Sequence, residues 1–181
     1  MTKESLRRTY RQRRRDLTPV ERQLAEARIT QATLAALQGR GPVLIYVAVR
    51  AEFNTRPLIR ALLEASVEVA VPRIEGEHLR AARLHDLAEL VPGPFGVPTS
   101  TGPQVRVDAC VTPGLAFTRQ GVRLGQGGGY YDRFFSVNPL AWRIAPAFEI
   151  QIAPSLPAED HDVPVHRVLT EISLGPDDPT A

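Results

Sequence analysis

Along this chain, short β-branched apolar runs alternate with stretches of helical periodicity. Residues 2–16 read as a first, arginine-rich helix. Thr18-Pro19-Val20-Glu21 has capping-box spacing with proline at the first helical position, which predicts a second helix to about Gln38, ended by Gly39 and Gly41. The apolar run over 43–49 predicts a strand buried on both faces. A helix follows over 55–65, then a strand through Val67, Val69 and Val71 stopped by Pro72, and another strand over His78–Leu84. A helical turn is expected at 86–90, and a proline- and glycine-rich loop at 92–103, long enough to be functional or mobile.

A strand over 108–112 enters Pro113-Gly114, and 118–129 shows no apolar periodicity. A helix should start near Gly129 or Tyr130, pairing Tyr130 with Phe134 and Tyr131 with Phe135 at i, i+4. A strand over 142–148, a short helix over 150–153 and a strand over 165–169 complete the pattern. This alternation predicts an α/β fold: a single layered domain over 1–181, with a central, largely parallel (mixed) sheet flanked by helices. Residues 1–16 form its basic N-terminal helix, and about 172–181 a loose C-terminal tail.

Composition agrees with one such unit. A chain of 181 residues, 43% hydrophobic and 23% charged, suits one globular core. The lone Cys110, inside Ala109-Cys110-Val111, reads as a small buried hydrophobe and excludes an intramolecular disulfide. The basic N-terminus is followed by no apolar stretch, and no run approaches the roughly 18 apolar residues of a spanning helix, so a cytoplasmic location and no membrane partner are expected. The net charge is only +2, yet Lys3, Arg7, Arg8, Arg11, Arg13, Arg14 and Arg15 crowd the first fifteen residues against Glu4 alone. Such a cluster suits nucleic acid, an anionic surface, small-ligand phosphates, or a solvated helix face.

The least ordinary stretch is Arg123-Leu124-Gly125-Gln126-Gly127-Gly128-Gly129-Tyr130-Tyr131-Asp132, with four glycines among five residues before a predicted helix. Its amide N–H groups can converge on an anion, reinforced by the helix dipole, with Arg123 adding a charge-assisted fork. Asp132 is suited to hold Mg²⁺ beside substrate phosphates. The alternative is a surface turn with Asp132 favouring the first helical turn. It is not a Walker loop, because Tyr130 and Tyr131 stand where lysine and serine or threonine belong. A dinucleotide fingerprint needs a strand directly before the glycines, whereas 118–123 reads as polar loop. Within Glu159-Asp160-His161-Asp162, Asp162 is a second candidate metal ligand, while His161 and His166 lack zinc spacing. Glu52, just after a buried strand, occupies a position where open α/β sheets bind ligands.

These residues resemble the 5-formyltetrahydrofolate cyclo-ligases, also called methenyltetrahydrofolate synthetases. The resemblance is carried by Pro113-Gly114-Leu115-Ala116-Phe117, by Gly121-Val122-Arg123-Leu124-Gly125 running into Gly127-Gly128-Gly129-Tyr130-Tyr131-Asp132-Arg133, and by Ala147-Phe148-Glu149 with Gln151, Pro157 and Asp162. Weaker agreement at 3–7, Glu52 with Thr55, and Val71-Pro72-Arg73 extends it over nearly the whole chain. It implies an ATP- and Mg²⁺-dependent ligase of one-carbon metabolism that converts 5-formyltetrahydrofolate to 5,10-methenyltetrahydrofolate, releasing ADP and phosphate. It implies that Lys3 and Arg7 reach the ATP phosphates, and that Arg123, Leu124, Gly125, Gln126, Gly127, Gly128, Gly129, Tyr130 and Tyr131 cradle ATP. The reduced folate would meet Val47, Glu52, Gln126, Gly127, Gly128, Gly129 and Tyr130, with Glu52 an acceptor for pterin N–H groups. Asp132 and Asp162 would hold Mg²⁺, and Arg123 and Tyr131 would serve catalysis. A monomer without nucleic-acid partners is expected.

The chain departs from the family pattern at Gln126, where tyrosine or a basic residue is common, and at Thr118, Thr99-Ser100 and His166. Two other readings remain: a relative of the same fold that binds a nucleotide and acts on another substrate, and a basic nucleic-acid-binding module. The second lacks the aromatic platform that single-stranded nucleic acid stacks on, with aromatics only 6% of the chain.

Overall fold

The computed structural model describes residues 2–172, so the expected tail over 173–181 lies outside the described residues. The described residues form four α-helices and eight strands, of which all but a short hairpin are expected from the periodicity. They are α1 (Lys3–Asp16), α2 (Pro19–Ala36), β1 (Val43–Ile45), α3 (Arg56–Glu64), β2 (Val69–Glu75), β3 (His78–Leu84), β4 (Ala109–Val111), β5 (Ala116–Phe117), β6 (Arg123–Leu124), α4 (Tyr130–Val137), β7 (Trp142–Pro146) and β8 (Arg167–Leu169). The main sheet has the order β3-β2-β1-β4-β7-β8, with only the β2–β3 pair antiparallel. The mixed, largely parallel sheet is therefore present. No helix among the described residues is long and apolar enough to cross a membrane.

Strand periodicity explains the layers. Val43 and Ile45 of β1, Val69 and Val71 of β2 and Val111 of β4 pack with Leu58, Ile59 and Leu62 of α3 and with the end of α2. The intervening Leu44, Ala70 and Cys110 point the other way, onto Phe134 and Phe135 of α4. Each such apolar side chain, fully buried, contributes roughly 1.5–3 kcal/mol. Cys110 is enclosed in this second layer, and burial pushes its thiol up to about 12, consistent with a packing role. The expected cap of α2 is formed: Glu21 N–H donates to Thr18 Oγ1, and Thr18 N–H to Glu21 Oε2.

Several boundaries differ from the sequence reading. Strand β1 ends at Ile45 rather than 49, because Thr55 takes over the ladder: its hydroxyl donates to Tyr46 O at 2.7 Å and accepts from Ala48 N at 3.1 Å. Strand β2 runs through Pro72 to Glu75. Beyond Ala70 it has only β3 beside it, so the missing N–H of Pro72 interrupts no ladder on the β1 side. The segment over 118–129 contains the turn and second strand of a hairpin, β5–β6, whose two-residue strands are too short to show a period. A strand does therefore precede the glycines, though in a separate two-stranded sheet. The short helix expected over 150–153 is a 3-10 turn, Glu149–Gln151.

Gly121 closes the hairpin with φ +87, and a Cβ there would overlap the carbonyl oxygen of Val165, whose own N–H donates to Gly121 O at 2.9 Å. Gly121→Ala should therefore lose about 3 kcal/mol in urea unfolding, combining left-handed backbone cost with overlap. A loss below about 1 kcal/mol would show that the Val165 segment shifts freely.

Candidate functional site

Strand β1 leads by α3 to β2 on one side, while β4 lies on the other, so the chain direction switches between β1 and β4. Ligands of open α/β sheets bind at the carboxyl ends of strands flanking such a switch point. Here the segments after β1 (Tyr46, Val47, Glu52) and after β4 (Pro113, Gly114) form one wall of a cavity of about 680 Å³.

The opposite wall is the glycine loop, held by α1. Leu6 and Tyr10 of α1 bury against Leu115, Ala116 and Leu124 of the hairpin, so this helix is docked rather than solvated. Cations on the same helix reach the neighbouring backbone and side chains. Arg7 Nε donates to Gly125 O at 3.0 Å, Arg11 Nη2 to Gln126 Oε1 at 2.8 Å, and Arg14 Nη1 to Gly114 O at 3.4 Å. Lys3 Nζ lies 2.8 Å from both Asp162 Oδ2 and Glu159 Oε1. Gly129 caps α4 at φ +65, a left-handed conformation that lets the loop turn directly into the helix.

All the site residues read from the sequence line this cavity: Lys3, Arg7, Val47, Glu52, the whole 123–131 segment, Asp132 and Asp162. Their roles are set by local geometry. Arg123 is nearly buried and donates from Nη2 to Asp132 Oδ1 at 2.7 Å, while its Nε finds no partner. Its guanidinium thus lies under the loop, anchored to Asp132, rather than standing free as a fork. Tyr131 packs its ring against Phe135 at 6.0 Å, as the i, i+4 spacing predicts, but its enclosed hydroxyl has no partner. Burial pushes that hydroxyl well above the usual tyrosine range, so it stays a protonated donor. The Tyr130 ring instead meets Phe95, centroids 6.1 Å apart.

The two carboxylates expected to hold a metal are neighbours through the backbone, since Val163 N–H donates to Asp132 Oδ1 at 3.1 Å. Burial alone would raise Asp162, but the Lys3 ammonium and the Glu159 N–H outweigh it and hold it below the usual range. The Asp162 carboxylate, and then that of Glu159, raises Lys3 in turn. Among the described residues no three metal-ligating side chains cluster. Two hard carboxylates, with Asp132 Oδ2 free of donors among the described residues, fit Mg²⁺, which takes one or two carboxylates and leaves its other positions to phosphate oxygens and water.

Several cavity residues escaped the sequence reading. Of the three non-glycine residues with positive φ among the described residues, Arg50, Ser66 and Phe95, two line the cavity, and such strain gathers at functional sites. Phe95 stands 74% exposed at the tip of the 92–103 loop, whose base is tied by paired Val91–Thr99 backbone bonds of 2.9 Å and by Thr99 Oγ1 to Pro72 O at 2.7 Å. An aromatic between Pro94 and Gly96 was its only sequence signal. The other departures serve the scaffold. Thr118 Oγ1 accepts from Val122 N–H in the hairpin turn, and His166 Nδ1 accepts from Arg143 N–H, away from the cavity.

A model of the 5-formyltetrahydrofolate cyclo-ligase family matches residues 1–171. The 5-formyltetrahydrofolate cyclo-ligase of Escherichia coli (strain K12) is 30% identical over 177 residues, covering 88% of this chain and 95% of the relative. The Mus musculus enzyme of the same name is 29% identical, covering 94% of each chain. Among solved structures, the NMR structure of Aquifex aeolicus 5,10-methenyltetrahydrofolate synthetase superposes with a TM-score of 0.82 at 30% identity, covering 95% of this chain and 91% of that one.

Burial raises Glu52 above its ordinary 4.5, opposed only in part by the Val49 N–H on Oε2 and the Arg14 and Arg50 guanidinium groups. A raised carboxyl binds its proton more tightly in the folded chain, so its contribution to stability is greatest below 4.5 and falls as pH rises through the folded value. Glu52→Gln should accordingly raise the urea midpoint above wild type at neutral pH, with the gain vanishing in acid below the unfolded value. A variant less stable than wild type at neutral pH would contradict this account.

Proposed function

Because the chain belongs to the 5-formyltetrahydrofolate cyclo-ligase family, we propose that it uses ATP and Mg²⁺ to convert 5-formyltetrahydrofolate to 5,10-methenyltetrahydrofolate, releasing ADP and phosphate. One observation carries the reading. A single cavity gathers a glycine loop rich in backbone donors, two cations from α1, two adjacent carboxylates and a half-buried glutamate at the switch point.

On this reading the nucleotide phosphates lie along 123–131, and Lys3 exchanges Asp162 for a phosphate. Asp132 and Asp162 would hold Mg²⁺, which when bound neutralises phosphate charge. Glu52 accepts from pterin N–H donors. Ligand donors then take the place of water for a carboxylate that burial has left short of partners, favouring its ionised form. The apolar side chains of Val47, Ile74, Leu79 and Phe95 on the same walls suit the flat ring system of a reduced folate.

The formyl oxygen attacks the γ-phosphorus and the bond to ADP breaks. N10 then attacks the activated carbon, and phosphate departs with the former formyl oxygen, the N10 proton balancing its charge. The chain's contribution is placement and charge. Arg7, on the glycine loop, faces the transferring group's charge, and Tyr131 offers a protonated hydroxyl rather than a nucleophile. The nucleic-acid reading is weaker, because Lys3, Arg7, Arg11 and Arg14 already have partners within the fold.

Methenyl product formation, followed by absorbance with and without ATP and Mg²⁺, tests the proposal directly. No product under any condition would sink it. Asp132→Asn keeps an oxygen for Arg123 but removes the carboxylate charge, so turnover should drop at least about a hundredfold, while unfolding stays cooperative with a urea midpoint lowered by the loss of the Arg123 counter-charge. Undiminished turnover would remove Asp132 from the metal site.

A further inference from the structure

Lys3, Arg7 and Arg11 stand at i, i+4 and i+8 on one face of α1, and all three reach partners at the cavity. Arg11 differs from the others in meeting a side-chain amide. Its Nη2 and Nε approach the same atom, Gln126 Oε1, at 2.8 and 3.3 Å. A guanidinium has five donors and no acceptor, so the amide can meet it only through oxygen; the flipped amide would set N–H against N–H. Nε2 is therefore turned away from Arg11, and it has no hydrogen-bond partner among the described residues.

The neighbouring backbone belongs to Arg7. Its Nε takes the carbonyl of Gly125, and its guanidinium rests against Gly127, where a Cβ would lie 3.4 Å from Cζ. The amide donor and the Arg7 cation thus share one stretch of cavity wall. We infer that Arg11 is a positioning residue: it locks the Gln126 amide with its nitrogen toward the cavity, so that position 126 gives a nucleotide phosphate oxygen a neutral donor. Lysine or arginine at 126 would face the like charge of Arg11, whereas glutamine pairs with it. The departure of this chain at 126 and the arginine at 11 are then one device.

The inference rests on the nucleotide reading above, but calorimetric titration with ATP and Mg²⁺ needs no turnover and is judged separately from the methenyl assay. Gln126→Glu keeps an acceptor for Arg11 and loses both donors, so a purely structural link would survive it. ATP affinity should instead fall about tenfold or more. Arg11→Met should weaken ATP about three- to fivefold, and Gln126→Met by about tenfold, with the double variant no weaker than Gln126→Met alone. Titration with 5-formyltetrahydrofolate should be unchanged in Arg11→Met. Wild-type affinity in Gln126→Glu would overturn the inference, as would losses that multiply in the double variant or a loss confined to the folate titration. A wild-type chain that turns over normally alongside any of these results would leave the proposed activity standing without it.

Discussion

The site depends on the docking of α1 onto the β5–β6 hairpin. Leu6 and Tyr10 bury against Leu115, Ala116 and Leu124, and this apolar contact brings a highly charged helix against a loop made largely of glycine. Neither part is fit for the work alone. The loop has little side-chain surface with which to hold itself, and a helix with three adjacent arginines near its end has an unfavourable concentration of charge. Together the loop gains anchors at Gly125 and Gln126 while the cations gain oxygen partners. Such charge-assisted bonds are about twice as strong as neutral ones.

The sheet provides the fixed half of the cavity. Its β1 strand is cut short where Thr55 captures the backbone of Tyr46 and Ala48, and this redirects the chain so that Val47 and Glu52 face ligand space instead of continuing a ladder. Pro72 on β2 belongs to the same arrangement. A strand without an inner partner at that level can carry a proline, and its carbonyl becomes the tether for the loop that bears Phe95. Features that weaken the sheet at its carboxyl end are those that open the cavity.

Much of this was legible in the sequence. Alternating runs around Val43, Val69, Val111 and Ile144 exposed the layered fold, because strands buried on both faces must be continuously apolar. The glycine cluster flagged the site, and its flanking residues carried the resemblance to the family. The hairpin was not legible, since Ala116–Phe117 and Arg123–Leu124 are too short for any period to register. The basic N-terminus was readable as charge but not as a wall, because its partners lie a hundred or more residues away. Arg50 and Phe95 reach the cavity through backbone conformations that composition does not encode.

Those long separations also bear on the order in which the molecule takes shape. Lys3 meets Asp162 across 159 positions, and Arg7 meets Gly125 across 118. On a ribosome, synthesis proceeds from the N-terminus, so α1 is made before the hairpin that it docks on, and Lys3 long before Glu159 and Asp162. Helix α1 is thus made before the surface that anchors it, and its docking completes the site.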